Sequence, residues 1–269
     1  MLRWGDGRDL AGEHLVDRRR TEAGEGMSAG SPRVQWPAVA AFYGLACGIS
    51  WPLFWWRDRH PDAWDAWAIP ADLKGLLPAA GPAIGALAAL VLFRRTHPRT
   101  ITLAGNSPLR SLVFAAAPIG LLGLLFGLRE EGAVHGLLMG ALFLVYGFGE
   151  ELGWRGFLQD ALRPLPPVRR YVTLGLLWGT WQFTTFVGGG LQATATRIAG
   201  MAVLWILGSW GMGRAVDRSR SVIVAAMLHL VFNFTRAAPS EIMVPFLGGS
   251  AMLWILLLRR WPQPVVSPS

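Results

Sequence analysis

Eight apolar segments separated by short polar stretches constrain this chain more than any other feature. They lie roughly at residues 34–56, 75–93, 111–128, 134–158, 171–187, 196–213, 221–236 and 242–258. A transmembrane helix needs about 20 mostly apolar residues, within a range of about 17–25. Because backbone polar groups must be paired internally in lipid, such segments span as helices. The pattern predicts an all-α, polytopic membrane helix bundle with about eight transmembrane helices.

The composition and the placement of charge agree with this class. Charged residues make up 16% of the chain, whereas a soluble domain has about 25%. The net charge of +8 would also suit nucleic acid, but the basic residues lie in short loops between apolar segments. We therefore attribute the charge to membrane topology and expect the lipid bilayer, and no nucleic acid, as a partner. The single cysteine, Cys47, is interpreted as a small packed residue.

The basic residues also predict an orientation. Nineteen of the 25 Lys and Arg residues fall on one set of flanks and six on the other. Under the positive-inside rule this places both termini in the cytosol and the loop from Arg57 to Lys74 outside. We expect a multi-pass protein of the cell (plasma) membrane.

Three regions are predicted along the chain. Residues 1–33 are polar, mix both signs of charge and lack an apolar signal-peptide core, so they are interpreted as a flexible cytosolic tail. Residues 34–261 form the transmembrane domain, and residues 262–269 form a second flexible tail. The absence of an internal repeat disfavours an inverted-repeat transporter.

Charged residues inside the fourth apolar segment give the first functional signal. The sequence EELGWR occupies residues 150–155, and each charge at a helix centre costs roughly 2.5–3.5 kcal/mol. Glu151 and Arg155 are separated by four residues, so they can pair and offset part of that cost. Glu150 is rotated by about 100° from Glu151 around the helix and can point elsewhere. Ionisable groups at such depth usually face a protein interior or a water-filled cavity.

Two later segments carry polar residues at a similar depth. Gln182 lies about eleven residues into the fifth segment, and His229 and Asn233 lie about eight and twelve residues into the seventh, at a rise of about 1.5 Å per residue. His229 and Asn233 share a helix face. Each feature has a purely structural explanation, such as an interhelical hydrogen bond. Their convergence predicts that Glu150, Gln182, His229 and Asn233 line one cavity open to the cytosolic side.

These motifs resemble those of the CPBP family of intramembrane proteases, which includes CAAX prenyl endopeptidases and bacteriocin-immunity (Abi) proteins. The sequence EELGWRGFL at residues 150–158 is similar to the family's first motif, and His229 and Asn233 match its last. Gly81-Pro82-Ala83 resembles a signature of its second span. The resemblance extends over residues 75–260.

The resemblance implies an endopeptidase that cuts peptide or membrane-protein substrates near the cytosolic face. Glu150 would be the general base that activates water. His229 and Asn233 would donate hydrogen bonds to the developing oxyanion, each worth roughly 2.7–4 kcal/mol. Arg155 would hold Glu151 and fix the end of the helix.

The chain departs from the family at its middle motif, which resembles Trp-x-x-Trp-His-x-Pro. Gln182 stands in the position of the histidine, and Thr184 in that of the proline. An amide can bind water but cannot accept a proton or ligate a transition metal well. For a divalent metal such as zinc, only Glu150 and His229 remain as good ligands, and catalytic zinc usually has three. A metal cofactor is therefore disfavoured.

Two functional hypotheses remain. The Glu pair and the His-x-x-x-Asn motif favour a membrane endopeptidase. Gln182 favours a weakened or non-proteolytic relative that acts as a membrane adaptor or immunity-type protein.

Overall fold

The computed structural model describes residues 33–66, 74, 76–94, 99–187, 195–237 and 239–262. The chain divides into two units, Met1–Arg33 and Val34–Ser269. All helices named below belong to the second unit. Apart from Arg33 and Pro262, the predicted tails at residues 1–33 and 262–269 lie outside the described residues.

The described part of the chain is all-helical, as predicted, with no strand in these ranges. The described ranges contain, in order, these α-helices and one π-helical turn: α1 Trp36–Arg59, α2 Pro61–Asp65, α3 Leu76–Leu92, α4 Pro108–Gly127, α5 Gly132–Gly153, the π-turn Trp154–Leu158, α6 Gln159–Ala161, α7 Pro167–Val187, α8 Ala195–Ser219, α9 Val222–Ala237 and α10 Ser240–Arg259. Every predicted apolar segment coincides with a helix. Residues 132–161 form one continuous helix, longer than the segment 134–158 that the sequence suggested.

Four of the described helices are long and apolar enough to cross a membrane: Trp36–Arg59, Pro108–Gly127, Gly132–Ala161 and Ser240–Arg259. Two shorter apolar stretches accompany these four helices: Leu76–Leu92, which is α3, and Val222–Val231, which is the first part of α9. The chain is therefore a helical membrane protein.

Helix α5 lies at the centre of the bundle and packs against α3, α4 and α9. Small residues bring these helices close together. A Cβ atom at Gly153 would lie 2.6 Å from Cβ of Pro82 on α3, and one at Gly147 would lie 2.7 Å from the carbonyl of Ala226 on α9. Gly81 and Pro82 belong to the sequence that resembles the family's second-span signature. The structure gives Pro82 a packing role, because it lies against Gly153 at the end of the helix that carries the Glu pair.

Helix α1 packs antiparallel to α3 and also contacts α7. The hydroxyl of Ser50 donates to the carbonyl of Pro78 (2.7 Å). Trp51 Nε1 donates to the carbonyl of Trp181 (3.1 Å), and the hydroxyls of Tyr43 and Thr180 are 2.6 Å apart. These contacts place α1 against the helix that carries the middle motif.

At one end of the bundle, which we call the loop end, four connecting stretches meet: residues 99–110, 159–171, 213–223 and 259–262. An isolated bridge joins Thr102 to Ser221. Asp160 accepts hydrogen bonds from the backbone N–H and hydroxyl of Thr100 (2.7 and 2.6 Å). Trp261 Nε1 donates to Asn106 (2.6 Å). These polar contacts hold successive helix ends on the same side of the bundle.

Candidate active site

Four ionisable side chains from two helices form one buried cluster in the described part of the chain. Glu150, Glu151 and Arg155 have 0% of their surface exposed, and His229 has 2%. The first three follow one another along α5 and the π-turn, and His229 comes from α9. Because isolated buried charges are very costly, such groups must satisfy one another.

Glu151 holds two partners through one oxygen. Its Oε1 accepts a hydrogen bond from Arg155 Nη1 at 2.7 Å, and it lies 2.6 Å from His229 Nδ1. The predicted i, i+4 ion pair is therefore present. The contact with His229 was not predicted, and it matters chemically. A carboxylate at Nδ1 fixes the tautomer and the orientation of an imidazole, leaving Nε2 as the reactive nitrogen.

Glu150 lies beside that second nitrogen. His229 Nε2 is 3.8 Å from Glu150 Oε2, and Trp178 Nε1 on α7 donates to the same oxygen at 3.2 Å. Tyr146, one helical turn before Glu150, contacts the imidazole ring of His229 at a centroid distance of 6.1 Å. The two carboxylates therefore contact opposite nitrogens of one histidine.

The π-turn orients Arg155. A π-helical turn widens the backbone by one residue, and such turns occur often at functional sites. Here the turn begins at Trp154, directly after Gly153, the residue that packs against Pro82. Arg155 places its guanidinium 4.3 Å from the ring centre of Trp178 and within 3.6 Å of the Met212 sulfur. The cation thus contacts a carboxylate, an aromatic face and a polarisable sulfur.

Aromatic side chains surround this cluster. Trp178 packs on Trp205 of α8 and on His229, with ring centroids 4.6 and 5.5 Å apart. Trp154 packs on Trp181 at 5.6 Å, and both are fully buried. These rings separate the ionised groups from lipid, so electrostatic interactions within the cluster are stronger than in water.

The other predicted site residues stand at the edge of the cluster. Asn233 follows His229 by one turn, and its Nδ2 atom is buried without a hydrogen-bond partner in the protein. Gln182 follows Trp178 by one turn and is half-buried. The side chain of Thr184 lies outside the described residues. The predicted cavity joining Glu150, Gln182, His229 and Asn233 stays a prediction.

Trp178 is the participant that reasoning from the sequence missed. No role for its indole N–H follows from the residue pattern alone, although the structure pairs that group with Glu150. The sequence did contain one indication of this role. Trp178 lies four residues before Gln182, so the indole and the Gln182 amide share a helix face.

The donor set fits a metal ion poorly. Among the described residues, no group of three or more His, Cys, Asp or Glu side chains is arranged to hold one. Glu151, the only other carboxylate in the cluster, is held through Oε1 by a guanidinium and an imidazole. A cation placed there would be repelled by Arg155. We therefore assign no catalytic step to a metal.

Removal of the Arg155 side chain is expected to destabilise the protein strongly. Arg155→Ala would leave Glu151 buried without its cation, a change that costs about 3–5 kcal/mol for a buried ion pair. The free energy of unfolding, measured by SDS titration in mixed micelles, tests this. Arg129→Ala is the matched control because Arg129 and Glu131 form an exposed pair, worth about 0–1 kcal/mol. Equal losses in both variants would contradict a structural role of Arg155.

The structure thus defines a class of protein, a bundle of apolar helices with a buried carboxylate-histidine cluster at its centre. Residues 132–235 match the family model of Rce1-like type II CAAX prenyl endopeptidases. The match covers α5 to α8 and most of α9, and it confirms the predicted resemblance to the CPBP/CAAX protease family. The match supports a CAAX-type intramembrane protease at the family level. No curated protein matched the sequence significantly.

Proposed function

We propose that the protein is an endopeptidase that hydrolyses peptide bonds within or beside the membrane, with Glu150 as the general base. The observation that carries this proposal is the position of Glu150, next to Nε2 of a histidine whose other nitrogen is held by Glu151. Such a carboxylate orients a catalytic imidazole and stabilises its protonated form.

The chemistry follows from this arrangement. Glu150 takes a proton from a water molecule as the water oxygen attacks the scissile carbonyl carbon. His229, protonated at both ring nitrogens between the two carboxylates, donates a hydrogen bond from Nε2 to the oxygen on which negative charge develops. The Asn233 amide donates to the same oxygen. Glu150 then returns the proton to the leaving amine, and the C–N bond breaks. Arg155 and Trp178 keep the two carboxylates apart and oriented throughout.

The substrate class is a peptide or a membrane protein with a segment that reaches the site. The name of the matching family refers to prenylated CAAX substrates, and for this chain we propose only the broader class. The decisive experiment is cleavage of a peptide library in detergent by the wild-type protein and by a Glu150 variant.

We further propose that residues 34–261 form one protease domain of eight spans in the plasma membrane, with both termini cytosolic. Support comes from the loop end, where the helix ends flanked by Arg110, Arg170, Arg218 and Arg260 lie together. The guanidinium of Arg110 donates to the carbonyl of Arg260, and Arg218 donates to that of Arg259. Basic residues grouped on one side are typical of a cytosolic face.

Cysteine labelling tests this orientation. In a Cys47→Ala background, Ala63→Cys is expected to react with a membrane-impermeant thiol reagent added to the periplasmic side. Pro164→Cys, at the loop end, is the control and should react only after permeabilisation. Both positions are exposed, so a difference in labelling reports the side of the membrane. The reverse labelling pattern would contradict the proposed orientation.

The second candidate function is a non-proteolytic membrane adaptor or immunity-type protein. Gln182 favours it, because an amide at this position cannot share proton transfer with Glu150. The complete burial of both carboxylates also suits a structural cluster. Absence of cleavage over a broad peptide library, in wild type and in Gln182→His, would favour this function.

A further inference from the structure

Buried polar groups continue from the candidate active site toward the loop end. Glu151, Arg155 and Gln159 follow one another at four-residue intervals along the helix of residues 132–161, and all three are fully buried. Arg155 contacts Met212 of α8, and Gln159 Nε2 donates to the carbonyl of Gly213 at 2.9 Å. Arg155 and Gln159 therefore face α8, and together with Glu151, which pairs with Arg155, they form what we call the polar seam.

The seam reaches the surface at Asp217. Gln159 Nε2 also donates to Asp217 Oδ1 at 2.9 Å. The other oxygen of Asp217 accepts from Arg170 and from the hydroxyl of Tyr171, both on α7. The Asp217 side chain is 25% exposed, whereas Gln159 is fully buried. A continuous series of polar contacts thus joins the exposed Asp217 to Gln159, and Arg155 and Glu151 lie next along the same helix.

Each buried member of the seam has a polar atom that no protein group satisfies. These atoms are Glu151 Oε2, Arg155 Nε and Gln159 Oε1. The amide of Gln159 is oriented by two acceptors at Nε2, so Oε1 is the atom left over. The hydroxyl of Ser209, three residues before Met212 on α8, is also buried without a partner. Buried polar atoms without a protein partner are the usual ligands of internal water, which makes about three hydrogen bonds.

We propose that this polar seam is the route by which water reaches the buried carboxylates from the loop end. The inference rests on the proposed function, because hydrolysis consumes one water molecule for each peptide bond cleaved. The water oxygen and one hydrogen join the carbonyl carbon as a carboxyl group, and the other hydrogen goes to the amine. Aromatic rings pack against other parts of the cluster, so the buried polar atoms provide the path of lowest cost for water.

Silver ion tests this route without measuring catalysis. Ag⁺ is close to water in size, needs a hydrated path and binds thiolates tightly. In a Cys47→Ala background, Met212→Cys places a thiol within the seam. We expect Ag⁺ to modify it in detergent-solubilised protein, as measured by the thiols that remain reactive after unfolding. The control is the wild type, whose lone Cys47 is also buried but lies on α1, outside the seam.

A second change tests the path itself. Gln159→Met preserves length and removes the polar atoms, so it is expected to slow the silver modification of the Met212→Cys protein by about tenfold, or about 1.4 kcal/mol. Gln159→Leu serves if the first variant does not fold, as judged by gel filtration and circular dichroism. The proposal would be overturned if the thiol introduced at position 212 reacted with Ag⁺ no faster than the thiol of Cys47. It would also be overturned if neither substitution at Gln159 changed the rate of that reaction.

These results are separate from those for peptide cleavage. A seam that admits Ag⁺ in a protein without peptidase activity would refute the proposed function and leave the water route standing. An active peptidase with an unreactive thiol at position 212 would refute the route alone.

Discussion

Glu150→Gln is expected to lower the rate of peptide cleavage by about 10²–10⁴-fold, the usual contribution of a general base. Glutamine has nearly the same shape, and its amide oxygen can still accept the hydrogen bond from Trp178. It cannot take a proton from water. The loss should therefore appear in kcat, with little change in KM. Initial rates on a cleaved library peptide, in detergent, measure it.

Two controls separate catalysis from folding. Glu130→Gln changes an exposed carboxylate in the turn between α4 and α5 and should leave the rate unchanged. The thermal unfolding of Glu150→Gln should resemble that of the wild type, because the buried charge is removed while the shape is kept. A folded Glu150→Gln protein that cleaves at the wild-type rate would eliminate Glu150 as the base.

Gln182→His is expected to raise peptidase activity by about 10² or more, if proton transfer beside Glu150 limits the wild type. Gln182 lies one turn beyond Trp178, which donates to Glu150, so an imidazole at this position starts on the correct helix face. The gain should require the carboxylate. The double variant Gln182→His with Glu150→Gln is therefore expected to lose it, and Gln182→Asn is the control that keeps an amide.

Unchanged, readily measured activity in Gln182→His would mean that glutamine already suffices at this position. The wild type would then be a glutamate-dependent protease in which an amide positions the water. Inactivity of both forms over a broad library would leave the adaptor or immunity-type function as the better explanation. Activity that rises equally in Gln182→Asn would show that packing, rather than proton transfer, controls the rate.

The residue pattern alone was enough to predict the helices. Each apolar segment is long, and lipid allows little besides helix for such a segment, so local composition determined local structure. The Glu151–Arg155 ion pair was predictable for the same kind of reason. Its two members lie one helical turn apart, and the helix itself brings them together. The resemblance to the family also followed from local motifs, above all the sequence EELGWRGFL at residues 150–158.

The number of membrane crossings was harder to infer. Four described helices are long and apolar enough to span by themselves, and the helices that carry the motifs are not among them except for residues 132–161. A polar helix can be buried among apolar neighbours, so its own hydropathy does not determine its place in the membrane. That place depends on which helices pack around it.

The sequence by itself determined the helices, their polar faces and the chemistry available at Glu150, Glu151 and His229. Only the tertiary structure decided that Glu151 contacts Nδ1 of His229, that Trp178 donates to Glu150, and that Gln159 meets Asp217. These contacts join residues 28 to 78 positions apart. Spacing along one helix gives the face and the depth of a side chain. The partner across a helix interface depends on crossing geometry, which close-packed glycines such as Gly147 and Gly153 set in three dimensions.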